Sequence, residues 1–209
     1  MGYYPLFVDM KGRRCVVIGG GDVARRKVHG LLDTGAAVTV ISSEITGELA
    51  QLVDGGKIKY VPRNYMAGDL ADCELAFVAT NDAGVTADVC MEGKSRGVWV
   101  NAADDPAHCD FILPSILRRG ELTIAVSTGG KSPALSRAIR EELDTQFNDN
   151  YCSLVDMAAE VRDELRRRSI TPGYEAWRRA LAGNVRKHIH SGNLAQAKSD
   201  LLRELGAAV

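Results

Sequence analysis

The chain lacks an excess of charge of either sign, a paired-cysteine motif, a long apolar run and any low-complexity tract or internal repeat. Over 209 residues, 26 Lys and Arg stand against 27 Asp and Glu, a formal charge of −1. That near-balance removes the electrostatic basis for bulk attraction to nucleic acid or an anionic membrane. Five cysteines occur, at positions 15, 73, 90, 109 and 152, an odd number with no C-x-x-C spacing. A disulfide scaffold or zinc ribbon needs tighter, even spacing, so reduced thiols in a cytoplasmic protein are expected. No apolar stretch approaches the roughly 18–20 residues of a membrane helix. The opening MGYYPLFVDMKGRR has no basic start followed by a long apolar segment, and Leu6 breaks the myristoylation pattern that Gly2 would begin. The expectation is a soluble protein with neither nucleic-acid nor membrane partners.

What is present is ordinary globular composition, 45% hydrophobic and 25% charged. The length suits one well-buried core with a smaller attached module. Arg14-Cys15-Val16-Val17-Ile18 is a short apolar run that stops at three glycines. Asp22 to Thr34 reads as a helix with Val23, Val28, Leu31 and Leu32 on one side, ended by Gly35. Ala37–Ile41 is a second strand. Ile45, Leu49, Leu52 and Val53 mark another helix, closed by Gly55-Gly56. Ile58–Val61, Leu75–Ala79 and Val98–Val100 read as further strands, with a helix from about Ala83 to Ser95 before the last. Strands alternating with helices predict an α/β fold, a doubly wound parallel sheet of Rossmann type. After Pro114 the pattern changes. Leu122–Val126 is one more strand, followed by Ser127-Thr128-Gly129-Gly130-Lys131-Ser132-Pro133. Ser132 suits a helix N-cap and Pro133 the first helical position, and Leu135, Ile139 and Leu143 follow at four-residue spacing. From Asn150 onward only helical patterns occur, broken near Thr171-Pro172-Gly173 and Ser191-Gly192. Residues 151–209 carry a charge of +3, against −4 for residues 1–150.

Gly19-Gly20-Gly21-Asp22-Val23-Ala24 fits G-x-G-x-x-A between a strand and a helix. In that setting Gly19 makes the tight turn, Gly21 lets the backbone approach a pyrophosphate and Ala24 keeps the helix close to the sheet. The N-terminus at Asp22 and Val23 then offers free N–H groups to the phosphates. The second strand ends in Ser42-Ser43-Glu44. Those serines can hydrogen-bond a ribose, and positions 42–44 supply no arginine for a 2′-phosphate, which favours NAD over NADP. Arg25 and Arg26 read as a solvated helix face. Thr80 and Asn81, at the carboxyl edge of the fourth strand, are placed to line the cofactor; the alternative is that Asn81 or Asp82 caps the next helix.

Several strings then coincide in order: Tyr4-Pro5-Leu6-Phe7-Val8-Asp9, Val17 to Lys27, Ala79-Thr80-Asn81-Asp82, Val100 to Pro106, Phe111-Ile112-Leu113-Pro114-Ser115 and Ala125 to Pro133. Together they resemble the precorrin-2 dehydrogenase/sirohydrochlorin ferrochelatase family, found alone or as the N-terminal part of siroheme synthase. The resemblance covers residues 1 to about 147 well and the helical tail loosely. It implies a homodimer with an NAD-binding Rossmann domain (1–113), a small α/β dimerisation region (114–148) and a helical C-terminal domain (149–209). It also implies NAD-dependent oxidation of precorrin-2 to sirohydrochlorin, with ferrous iron (Fe2+) passing through in those members that go on to make siroheme. Methylation is expected to fall to a separate protein, because the methyltransferase domain of siroheme synthase is not within these residues.

Asp104 aligns with the family's functional aspartate and is the expected proton acceptor; its alternative is capping the loop before Pro106. Asp105 is a runner-up, more suited to a turn. Asn101 either contacts the nicotinamide or satisfies loop backbone. His108, Cys109 and Asp110 resemble a ligand cluster, but adjacent residues aim poorly at one ion, and no resident metal is expected. His188 and His190, two apart on a helix, diverge and read as surface residues. The tetrapyrrole substrate class carries eight carboxylates, so Ser127, Thr128, Gly129, Lys131 and Arg137 are candidate substrate-binding residues around an anion nest. Their alternative is a strand-to-helix turn at the dimer contact. Relatives can carry a regulatory phosphoserine here, and both Ser127 and Thr128 are available. A rival reading from another class is an NAD(H)-binding sensor without catalysis, in which Asp104 would be dispensable. An unrelated alcohol or ketone oxidoreductase is disfavoured, since Tyr65 has no Lys four residues on.

Overall fold

Four successive buried residues, Cys15 to Ile18, cannot belong to a strand with a wet face; they require a sheet covered on both sides. The computed structural model, which describes residues 2–102 and 109–207, has such a sheet in the first of two compact units, Met1–Leu113 and Pro114–Val209. Strand β1 (Arg14–Ile18) pairs in parallel with β2 (Ala37–Ile41) on one side and β4 (Leu75–Val78) on the other. The edges are β3 (Lys59–Val61) beside β2 and β5 (Trp99–Ala102) beside β4, giving the order β3-β2-β1-β4-β5. Side chains alternate between the faces, as a pleated strand demands. Cys15, Val17, Val38, Val40 and Phe77 pack with Ala24, Val28 and Leu31 of α1 (Asp22–Leu32) and Leu49 of α2 (Gly47–Asp54). Val16, Ile18, Ala76, Val78 and Val100 pack with Val89 and Cys90 of α3 (Ala83–Arg96) on the opposite face.

The chain runs outward from β1 to β3, then returns to place β4 on the other side of β1. The carboxyl ends of β1 and β4 therefore flank a topological switch point, the crevice where ligands of such sheets sit. Element ends differ from expectation by a residue or two. β5 continues past Val100 to Ala102 because Phe77 and Val78 of β4 pair with Asn101 and Ala102.

In the second unit β7 (Leu122–Val126) has an antiparallel partner that the sequence did not announce, β6 (Ser115–Arg119). Of its five residues only Leu117 is buried, between the exposed Ile116 and Arg118, so there is too little alternation to read. Gly120, at φ 54°, turns the chain between them. Helix α4 (Pro133–Gln146) starts at Ser132, whose Oγ accepts the Leu135 N–H at 3.2 Å. Its Leu135 does not join a core and is 52% exposed. Helices α5 (Asn150–Arg167), α6 (Tyr174–Ala182), α7 (Asn184–His190) and α8 (Leu194–Glu204) enclose a separate core. Met157, Val161 and Leu165 line it from α5 at four-residue spacing, and Ala197 and Leu201 from α8. A break at Gly183, unmarked by proline, separates α6 from α7. No helix among the described residues is long and apolar enough to cross a membrane.

Candidate functional site

β1 ends where it does because Gly19 turns through φ 118°, a conformation that side chains resist. A Cβ on Gly19 would fall 2.3 Å from the Ala79 carbonyl oxygen, and one on Gly20 only 1.9 Å from that of Glu44. The Gly19 N–H donates to the Ile41 carbonyl at 2.9 Å, and the Gly20 carbonyl accepts from the Thr46 N–H at 3.0 Å. These two glycines are therefore demanded by the protein's own backbone. Gly21 is different. Its φ of −84° is open to any residue, and a Cβ there would meet nothing within 4 Å. It caps α1 without any side-chain hydrogen bond, so the N–H groups of the first turn, Asp22, Val23 and Ala24, lack intrahelical partners. An open approach to unpartnered N–H groups at the positive end of a helix fits an anionic pyrophosphate. Ala24 lies fully buried against the sheet, and Asp22 is exposed, with Oδ1 3.4 Å from Arg25 Nε.

At the tip of β2, Ser42 is half-buried and its N–H donates to the Val61 carbonyl at 3.3 Å. Ser43 is exposed, and its carbonyl accepts from the Tyr60 hydroxyl at 3.4 Å. Arg25 is not the solvated residue expected. Its Nη1 lies 2.7 Å from Glu48 Oε2, and that hydrogen bond, with the charge behind it, holds the guanidinium above its ordinary pKa. Beyond β4, the cap of α3 falls to Asp82, whose Oδ1 accepts the Val85 N–H at 3.0 Å. Thr80 Oγ1 accepts the Asp82 N–H at 3.2 Å, and Asn81 is left exposed.

Asn101, 7% exposed at the end of β5, has both halves of its amide engaged. Nδ2 donates to the Phe111 carbonyl at 2.9 Å, and Oδ1 accepts from Lys27 Nζ at 2.8 Å. Of the two roles set out for Asn101, satisfying loop backbone is the one present in this geometry. Lys27 also stands 5.2 Å from the centroid of the Phe77 ring. Sequence reasoning passed over Lys27, although a signal existed: it lies three residues after Ala24 and four before Leu31, on the sheet-facing side of α1. Cys109 and Asp110 both hydrogen-bond to β5. The Cys109 thiol donates to the Ala102 carbonyl and its sulfur accepts the Ala102 N–H, each at 3.2 Å. Asp110 Oδ2 accepts the Val100 N–H at 2.8 Å. Asp104, Asp105 and His108 lie outside the described residues. Among the described residues no group of three or more His, Cys, Asp or Glu is placed to hold a metal. The five cysteines are free thiols, and burial, then Cys73 and Glu74, push the Cys15 thiol up to about 12.

The turn before α4 is filled from within. Thr128 Oγ1 donates to the Ser132 carbonyl at 3.0 Å and accepts the Ser132 N–H at 2.9 Å. The Gly129 N–H donates to Ser127 Oγ at 3.1 Å, and the Lys131 N–H to the Thr128 carbonyl at 3.2 Å. The expected anion nest has most of its donors occupied by its own oxygens. Ser127 and Lys131 are exposed; Arg137 is also exposed but is held by Glu141, Nε to Oε1 at 2.9 Å. Further along, His188 is not simply a surface residue. Its Nε2 lies 3.3 Å from Oδ2 of Asp200, a buried carboxylate on α8 that also takes Arg203 at 2.8 Å.

A glycine turn with open helix N–H groups, at the switch point of a five-stranded parallel sheet, defines a dinucleotide-binding α/β protein. Comparison with known proteins agrees. Residues 6–115 match the family described as "Putative NAD(P)-binding", and residues 119–146 match "Sirohaem biosynthesis protein central". The siroheme synthase of Nitrosococcus oceani is 36% identical over 203 residues, covering 96% of this chain and 43% of its own length. That of Pseudomonas entomophila is 40% identical over 166 residues, covering 79% of this chain and 36% of its own. A solved structure titled "SirC, precorrin-2 dehydrogenase" superposes with a TM-score of 0.76 at 26% identity, covering 96% of this chain and 100% of that one. The chain thus spans less than half the length of these siroheme synthases and the whole of SirC. It belongs to this NAD(P)-binding family, and its likeness to the siroheme synthases and to SirC agrees with the resemblance carried by its motifs.

Proposed function

We propose that this chain catalyses the NAD-dependent oxidation of precorrin-2 to sirohydrochlorin, a step of siroheme biosynthesis. One observation carries the reading: the likeness to SirC runs from end to end of that protein, whereas the likeness to siroheme synthases stops at less than half of them. What both share with this chain is therefore the dehydrogenase portion. The net reaction takes a hydride and a proton from precorrin-2, giving sirohydrochlorin, NADH and H⁺. When bound, NAD supplies the hydride acceptor. The N–H groups of Gly21, Asp22, Val23 and Ala24 hold its pyrophosphate, Ser42 and Ser43 its ribose, and Thr80 and Asn81 border the same edge of the sheet. Asp104 accepts the departing proton. Lys131 and Arg137, after the turn at Ser127, Thr128 and Gly129, meet substrate carboxylates with their side chains; the exposure of Lys131 supports that role.

The working form is a homodimer in the cytoplasm. Ile116 of β6, 43% exposed, and Leu135 of α4, 52% exposed, are apolar groups awaiting cover, and five free thiols suit a reducing compartment. The decisive experiment is anaerobic incubation with precorrin-2 and NAD, following NADH and the tetrapyrrole spectrum, with Fe2+ added afterwards. NADH and sirohydrochlorin are expected, and Asp104→Asn should lower kcat by about a hundredfold or more while NAD still binds. Binding of NAD without NADH formation would overturn the enzyme reading in favour of a sensor. The iron arm separates a dehydrogenase from a dehydrogenase that also makes siroheme: only the second accelerates iron insertion above the protein-free rate.

A further inference from the structure

The tip of β2 lies directly against the glycine loop, since the Thr46 N–H donates to the Gly20 carbonyl at 3.0 Å and the Glu44 carbonyl bars any Cβ on Gly20. A dinucleotide whose pyrophosphate sits on α1 therefore brings its adenosine ribose to Ser42, Ser43 and Glu44. Two arginines flank this tip. Arg25 rises from α1 on one side. Arg63 follows β3 on the other, two residues beyond Val61, the partner of Ile41 at the end of β2. A guanidinium is the usual ligand of a ribose 2′-phosphate because its fork of donors matches the phosphate oxygens.

Both guanidinium groups are already committed to carboxylates. Arg25 Nη1 is 2.7 Å from Glu48 Oε2, and its Nε is 3.4 Å from Asp22 Oδ1. Arg63 grips Asp69 with two parallel bonds, Nη1 to Oδ2 and Nη2 to Oδ1, both at 2.7 Å. Asp69 is fixed in turn by the Met66 N–H at 2.8 Å. Near the start of α1, Asp22, Glu44 and Glu48 stand against Arg25 and the exposed Arg26. A ribose with free hydroxyls loses nothing in such a place, whereas a 2′-phosphate adds roughly two further negative charges and must compete with Glu48 and Asp69 for the two guanidinium groups.

We propose that Glu48 and Asp69 set the dinucleotide specificity of this chain, withholding Arg25 and Arg63 from a 2′-phosphate so that the site selects NAD over NADP. The inference rests on the cofactor reading above and adds to it the residues and the means of discrimination. Glu48 is the one to change. Its side chain is 59% exposed and its ion pair lies at the surface, where such pairs contribute little to stability. Asp69 is 12% exposed and also anchors loop backbone, so removing it risks the fold.

Calorimetric titration of NAD and NADP into wild type, Glu48→Gln, Arg25→Ala and the double variant tests the assignment, with circular dichroism to verify folding. Wild type is expected to bind NAD about tenfold or more tighter than NADP, and Glu48→Gln to narrow that ratio by at least about fivefold through tighter NADP binding. The double variant should lose the gain, because Arg25 is the group released. An unchanged ratio in folded Glu48→Gln overturns the proposal. So does a gain that survives in the double variant, which assigns it to net charge alone, and so does a wild type that prefers NADP. A folded wild type that binds neither nucleotide overturns the cofactor reading itself, an outcome distinct from an NAD-selective protein indifferent to Glu48.

Discussion

Two strand–turn–helix junctions in this chain look alike in sequence and are opposites in structure. Gly19-Gly20-Gly21 leads β1 into α1, and Ser127 to Ser132 leads β7 into α4. Each contains adjacent glycines and opens a helix, and each reads as a site for anions. In the first, the N-cap is a glycine with no side chain to offer, and the first-turn N–H groups stay open. In the second, the hydroxyls of Ser127, Thr128 and Ser132 take up the N–H groups of Gly129, Ser132 and Leu135. The difference is the presence of hydroxyl oxygens within reach. A glycine turn that binds anions must be short of its own acceptors.

The comparison breaks most readily at Gly20. Gly20→Ala puts a methyl group into the Glu44 carbonyl, a backbone atom that cannot swing aside, and should cost roughly 1–3 kcal/mol or more in urea unfolding. Wild-type stability in that variant would show that the fold does not require the glycine. Gly21→Ala sharpens the contrast. With no neighbour within 4 Å of the new Cβ, it should stay within about 0.5 kcal/mol of wild type. It should nonetheless weaken NAD binding about tenfold, or roughly 1.4 kcal/mol, if the space is where the pyrophosphate lies; unchanged calorimetric affinity would remove Gly21 from the site.

At the second junction, Ser132→Ala removes a cap and should cost about 1 kcal/mol while NAD affinity stays as in wild type. A loss of affinity there would contradict the separation of the two turns. The smallest effect expected is acid lability in the loop after β3. Burial alone would raise the Glu92 carboxyl, but donors from Tyr65, Gly68, Leu70 and Arg96 bring it below its ordinary 4.5. Asp69, bonded first of all to Arg63, is held below its ordinary 3.8. For groups depressed in the folded state, the stabilisation is complete above those ordinary values and disappears as pH falls through the folded ones. Amide exchange in residues 63–72 should therefore accelerate below about pH 4, and Glu92→Gln should blunt that dependence.

Much of the first unit was legible because its rules are local. Buried parallel strands appear as unbroken apolar runs, and a G-x-G-x-x-A string between strand and helix has few other uses. The hairpin strand β6 was not legible, since one buried Leu117 carries its inward face. Nor was the pairing of the Asn101 amide oxygen with Lys27, 74 residues away. The turn at Ser127–Ser132 is legible as a strand-to-helix turn, but its internal hydrogen bonds are not, because composition counts donors and does not say which oxygens fold back onto them.

The sequence by itself determined the parallel sheet, the glycine loop after its first strand and the helical tail, because those follow from backbone conformation and from periods of 2 and 3.6 residues. The tertiary structure decided that Lys27 meets Asn101, 74 residues away, and that Arg25 is clasped by Glu48, 23 residues further on. Such pairings depend on where the ends of separate elements meet in space. No local pattern encodes the distance between two side chains that only the packed sheet and its helices bring within 3 Å.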